Sequence, residues 1–143
     1  MKKIVLFLAA FAGLSLQADK VSDFIDGKSK ECSECDLTGA DLSKRNLEGA
    51  VLNRAELAGA NLKGANLQKA YLKGVRLQGA NLAGANLKDA NLEGVLAEGA
   101  VFKKTRFQGA QIINMVALDA DFTGATGIDP YFVELFKGQG AAF

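Results

Sequence analysis

The 143-residue chain has no histidine and no tryptophan, one proline and two cysteines. Each shortage removes a class of chemistry. Without histidine the commonest general base is missing. Zinc loses its usual nitrogen ligand. The CxxC pair formed by Cys32 and Cys35 is followed by Asp36 where haem attachment needs a histidine. No Ser, Cys or Lys nucleophile has an evident partner. Charge of neither sign dominates, with 17 basic and 16 acidic residues, so the totals carry neither the basic footprint of a nucleic-acid binder nor an acidic decoy. The sequence therefore points away from an enzyme, and no catalytic, cofactor or metal site is assigned.

Long apolar runs are also scarce. The one that stands out is at the start, MKKIVLFLAAFAGLSLQA, where Lys2 and Lys3 precede an apolar stretch from Ile4 to Leu16 and Ala18 stands before Asp19. This is the pattern of a secretory signal peptide over residues 1–18, with cleavage after Ala18. A membrane anchor is the competing reading, but about 13 apolar residues fall short of the roughly 20 that span a bilayer. No Cys follows the run, which speaks against a lipoprotein. The mature chain is expected to be periplasmic or secreted, with no membrane contact after cleavage. It would carry 15 basic and 16 acidic residues, a net charge of −1.

What the sequence has in abundance is a period of five. In GANLKGANLQKAYLKG, leucine returns at 62, 67 and 72 and alanine at 60, 65 and 70. Five residues advance a helix by about 140°, which smears leucine around the cylinder. In a flat strand an odd period flips each leucine to the other face. A chain that turns a corner every five residues keeps them all inside, and a fixed short period marks a solenoid. The centres run without insertion from Leu37 to Phe122, 18 in all, and glycine stands two residues after 11 of them. Glycine suits a corner because it reaches positive φ without a steric penalty.

Tandem A(N/D)LxG units over residues 35–124 resemble the pentapeptide-repeat family. The resemblance implies an all-β fold: a right-handed quadrilateral β-helix with four units, or 20 residues, per coil. Eighteen units would then make about 4.5 coils in a rod about 22 Å long. The residues support 20 independently. Along the column Leu37, Leu57, Leu77, Ala97, Ala117 the centre shrinks. Its neighbours two residues earlier are Cys35, Ala55, Val75, Val95 and Met115, so that where the centre has shrunk to alanine the neighbour has grown to Val or Met. Packed interiors conserve volume in this way. Phe102 and Phe122, also 20 apart, would stack.

The expected organisation is a signal peptide (1–18), an N-terminal cap (19–34), the β-helix (35–125) and a C-terminal capping helix with its tail (126–143). Val21, Phe24 and Ile25 would form the apolar side of a short helix over the first coil. In IDPYFVELFK, Asp129 can N-cap and Pro130 suits the first helical position. Tyr131, Phe132, Leu135 and Phe136 would then cover the last coil or contact a second copy. The terminal GQGAAF reads as frayed. Arg45 breaks the rule of a small inward residue and is expected to lay its stem on the core with its head in water. Cys32 and Cys35 are a candidate disulfide pinning cap to rod, with free thiols and redox or metal chemistry as alternatives.

Function is expected on the surface. Asn46, Asn66 and Asn86, and likewise Asn61 and Asn81, should form ladders between coils. Asp36 and Asp41 read as part of a solvated face. Leu96, Val101, Ile113, Val116 and Leu118 depart from polarity at outward positions and form a candidate interface; Val51 and Tyr71 form a minor one. The reading is a non-catalytic exported scaffold that binds protein, with a homodimer through the C-terminal end as one form and no nucleic-acid partner. The resemblance also implies an alternative, since some family members mimic duplex DNA and bind gyrase. That role calls for an acidic rod in the cytoplasm, against the near-neutral charge and the export signal.

Overall fold

The computed structural model describes the backbone from Ala12 and side chains from Leu16 onward. Most of the predicted signal segment, residues 1–18, lies outside the described residues. From Glu31 to Thr126 every five residues repeat one conformation: a residue in a parallel β-bridge, an inward residue, then a two-residue turn. The bridges join residues 20 apart, as in Asn46–Asn66–Asn86–Arg106 and Glu56–Arg76–Leu96–Val116. The chain thus closes one coil every 20 residues and stacks four columns of bridges. We number the faces by their inward centres: first (Cys32, Leu52, Leu72, Leu92, Ile112), second (Leu37 to Ala117), third (Leu42 to Phe122) and fourth (Leu47 to Phe107).

One unit, Asn61–Ala65, shows why these residue types recur. The Asn61 N–H donates to Ala40 O in the coil below (2.9 Å), and Leu62 and Gly64 donate to Asn81 O and Ala83 O in the coil above (2.7 and 2.9 Å). The Ala65 N–H closes the corner onto Leu62 O (3.0 Å). Only the Lys63 N–H lacks a backbone acceptor, and Asn61 Oδ1 takes it at 3.1 Å. Every backbone donor is therefore accounted for. The Asn or Asp before each leucine is a local acceptor for the turn as well as a rung of a ladder. The same bond recurs at Asp36, Asp41, Asn46, Asn66, Asn81, Asn86, Asn91 and Asp121. The corner residue has positive φ whether or not it is glycine: Lys44, Arg54, Lys69, Asp89, Lys104, Asn114 and Asp119 adopt 53–59°. L-residues are strained there by about 1–2 kcal/mol.

The interior is the leucine–alanine column set, buried except at Ala110 and Ala125, which are partly buried. Toward the C-terminus phenylalanine replaces leucine, and Phe122 stacks on Phe102 at a centroid distance of 4.9 Å. Thr105 is the one buried polar residue described. It stands where other units have alanine, and its hydroxyl donates to Leu82 O at 2.8 Å, so its burial leaves no orphaned group.

Two helices flank the coils. Helix α1, Ala12–Ile25, buries Val21 and Phe24 and packs Ile25 against the core. It runs continuously through the Ala18–Asp19 bond. Helix α2, Pro130–Lys137, begins where Asp129 accepts from Tyr131 N–H at 2.8 Å, with Pro130 in its first turn. After α2 the chain returns to the rod. Ala142 bridges Asp121, Phe122 N–H donates to Ala142 O at 2.7 Å, and Phe143 stacks on Phe122 at 5.0 Å. The terminal GQGAAF is thus ordered rather than frayed, because its backbone extends the third face and its last ring joins the aromatic stack.

Candidate interaction surface

The apolar residues picked out in the C-terminal half divide into three groups. Ile113, Leu118, Tyr131 and Leu135 are exposed, at 58, 44, 70 and 43%. Leu96, Val101 and Val116 are half-buried on the rod wall, and Leu96 bridges Val116 directly. Phe136 is fully buried and stacks on Phe122 at 5.4 Å. It belongs to the core and offers no surface, because α2 turns that side of itself onto the last coil. Phe132 is intermediate; it packs on the core and meets Tyr131 edge-on at 5.2 Å.

A groove of about 430 Å³ runs between the last coil and α2, lined by Ile112, Ile113, Met115, Val116, Tyr131, Phe132, Leu135 and Gln139. It unites Ile113 and Val116 of the last coil with Tyr131, Phe132 and Leu135 of α2, while Leu96 and Leu118 do not line it. Val101, on the third face beside Asp121, does not line it. Gln139 was not singled out in the sequence. Its Oε1 accepts from Ala117 N–H at 2.8 Å and fixes one wall of the groove. Elsewhere, Val51 and Tyr71 are bridge partners on the first face, with Tyr71 53% exposed.

At the other end, Cys32 and Cys35 are both fully buried with their sulfurs 2.05 Å apart, at bonding distance. Cys32 occupies a leucine position, stacked in the column of Leu52 and Leu72, so the coil begins one unit earlier than the leucine pattern suggests. A cysteine in place of leucine hid that unit in the sequence. Arg45 is half-buried, and its Nη1 donates to Phe24 O at 3.5 Å. Its head engages a carbonyl near the C-terminal end of α1, where a cation is favoured, instead of simply reaching water.

Three carboxylates are tied to the turns that follow them. Hydrogen bonds from the Thr38 hydroxyl and amide hold the Asp36 carboxyl below its ordinary value. Thr123 does the same for Asp121, and Ser33 with help from Lys20 for Glu31. Asp41 accepts from the Ser43 amide and hydroxyl. No group of three or more Cys, Asp or Glu among the described residues could hold a metal ion. No described helix is long and apolar enough to cross a membrane.

The family profile for pentapeptide repeats matches eight copies, over residues 31–68 and 80–124, more than half of the chain. The chain belongs to the pentapeptide-repeat family. Among solved structures it is similar to a pentapeptide repeat protein from the Arabidopsis thaliana thylakoid lumen. The two share 27% identity over 78% of this chain and 79% of that one, with a TM-score of 0.59. HetL from Nostoc sp. strain PCC 7120, a pentapeptide repeat protein involved in heterocyst differentiation regulation, shares 28% identity over 66% of this chain and 62% of its own, with a TM-score of 0.37. QnrB1, a plasmid-mediated fluoroquinolone resistance protein, shares 20% over 79% and 87%, with a TM-score of 0.39. No curated protein matches the chain in sequence. The pentapeptide-repeat fold is a right-handed β-helix, and this chain shares it.

Proposed function

We propose that this pentapeptide-repeat protein is a non-catalytic, exported scaffold that holds a protein partner on the apolar surface around its C-terminal groove. The observation that carries the reading is the cluster of exposed Ile113, Tyr131 and Leu135 lining the groove, with exposed Leu118 one unit further along the chain. Leu96, Val101 and Val116 strengthen it. They stand at the bridge position, where half of the units carry Asn or Asp, and their side chains cannot accept the turn N–H. Each exchange costs the coil a hydrogen bond of about 0.5–1.5 kcal/mol and adds nothing inside, so the compensation lies in an external contact.

Export rests on the signal pattern of residues 1–18. Cleavage after Ala18 would leave residues 19–25 of α1, which include the buried Val21 and Phe24. In that reading α1 and α2 cap the two ends of the rod, covering backbone and core that a solenoid otherwise exposes. The cysteines are bonded in the oxidising compartment and tie the first two units together. The simplest partner for the C-terminal surface is a second copy. A gyrase-binding mimic of duplex DNA is disfavoured, since the rod lacks an acidic excess.

The test is the pair Leu96→Lys with Leu118→Lys. Both residues lie on the rod wall away from the interior, so the fold is expected to survive while the elution volume of the native protein, or its recovery with a partner, changes. An unchanged elution volume, melting curve and partner recovery would sink the reading.

A further inference from the structure

The near-zero totals conceal a sorting of charge by face. On the first and second faces opposite charges pair between coils: Arg54 with Glu34 at 3.6 Å, Lys73 with Glu93 at 3.1 Å, Arg76 with Glu56 at 3.4 Å. On the fourth face and its two edges stand Lys44, Lys63, Lys69, Lys88, Lys104 and Arg106. None of these six makes an ion pair among the described residues. Two carboxylates, Glu48 and Asp89, share those edges.

The floor between the edges is Asn46, Asn66 and Asn86, rung above rung. Each Oδ1 accepts a backbone N–H, from Glu48, Gln68 and Lys88, at 3.2 Å in all three. A backbone N–H can only donate, so these bonds fix which end of each amide is oxygen. The same oxygens of Asn46 and Asn66 also accept the amide nitrogen of the next rung, at 3.4 and 3.2 Å. The acceptors are thus consumed within the ladder. The amide nitrogens of Asn66 and Asn86 donate within the ladder as well, Asn86 also to Gln68 Oε1 at 3.4 Å, so what dominates outward is ammonium and guanidinium.

The complement of such a face is a plane of anionic acceptors. A stacked β-helix wall is flat, with rungs about 4.8 Å apart, and its cations stand along both edges rather than in one groove. No aromatic residue lies on it for bases to stack on, as single-stranded nucleic acid would require. A second copy is a poor occupant, since no face of the rod gathers carboxylates as the fourth face and its edges gather cations. We propose that the fourth face rests on an anionic lipid surface, the headgroup phosphates supplying the acceptors. The apolar second-face surface is on the opposite wall, so the rod would present its protein contact away from the membrane. This inference does not depend on that contact. It departs from the expectation of no membrane contact after cleavage, which rested on the short apolar run and on the absence of a lipoprotein cysteine.

The test uses the protein purified from the exported fraction, with the N-terminus it carries there, in co-sedimentation with vesicles. One set is phosphatidylglycerol and phosphatidylcholine in equal parts; the other is phosphatidylcholine alone. Binding is expected to the first only, and to weaken steeply as salt rises. Each basic side chain removed near an anionic surface lowers partitioning about fivefold. Lys63→Gln, Lys88→Gln and Arg106→Gln together should therefore lower it about a hundredfold. The same change at Arg54, Lys73 and Arg76 should leave it nearly intact. Circular dichroism checks that both variants fold. Equal binding to both vesicles, equal loss in the two triple variants, or capture by a soluble DNA duplex in preference to the anionic vesicles would each overturn the proposal.

Discussion

Phe122 is the residue on which the C-terminal end of the rod turns. Its ring is fully buried and lies within 6 Å of four others: Phe102 at 4.9 Å, Phe143 at 5.0 Å, Phe136 at 5.4 Å and Phe107 at 5.9 Å. Its own backbone holds Ala142, and the neighbouring Asp119 N–H donates to Gln139 O at 3.2 Å. Phe122→Ala removes the ring against which α2 and the terminal residues stack. A buried Phe→Ala change costs about 3–5 kcal/mol, and four lost ring contacts place this one near the top of that range. Phe122→Leu should cost about 1–1.5 kcal/mol, because leucine fills the same column at positions 42, 62 and 82. In a solenoid each coil touches only its neighbours, so the damage should be local. Hydrogen exchange read by mass spectrometry should show early labelling of residues 130–143 and the last coil in the alanine variant, with the coil around Leu52 still protected. Uniform loss of protection along the rod, or an unchanged α2, would refute the account of how this end is held.

Three further outcomes follow from the same geometry. Gly79→Ala places a methyl group in open space at φ 65° and should cost about 1–2 kcal/mol from backbone strain alone. Gly127→Ala, where the new carbon would sit 2.4 Å from the Gln108 backbone nitrogen, should cost visibly more in the same thermal melt. Acid should destabilise the protein. Glu31, Asp36 and Asp121 have folded values below their ordinary 4.5, 3.8 and 3.8. Their contribution is therefore present above those values and is lost as pH falls through the lower folded ones. Asp36→Asn keeps an acceptor for the Thr38 amide and should flatten part of that acid limb in denaturation titrations, whereas an unaltered limb would dismiss the assignment. Mass spectrometry of the native exported protein, alkylated with and without reductant, should find no reactive thiol before reduction. Two alkylated cysteines without reductant would end the disulfide reading.

Much of the fold was legible because it is written in a single period. Leucine every five residues excluded helix and flat strand, and the volume exchange between Ala97 and Val95 pointed to 20-residue stacking. Phe102 and Phe122 do stack. The candidate surface was less legible, for physical reasons. Whether an aromatic residue on α2 is core or contact depends on the rotation of the helix, which is why Phe136 and Leu135 could not be told apart by spacing. Cys32 hid a whole unit by replacing the leucine that marks it. The role of Asn and Asp in taking the turn N–H needed the backbone accounting. The cationic fourth face could not be seen in totals, because the balancing acids lie mostly on other walls.

The central claim is that the C-terminal apolar surface is a contact surface for protein. A photo-crosslinking residue introduced at Ile113, 58% exposed at the groove, tests it directly in cells. A matching residue at Thr38, exposed on the second face at the first coil, serves as the control. The account predicts a discrete protein adduct in the exported fraction from position 113, with a partner or with a second copy, and none from position 38. No adduct at 113, or the same adducts from both positions, would contradict it.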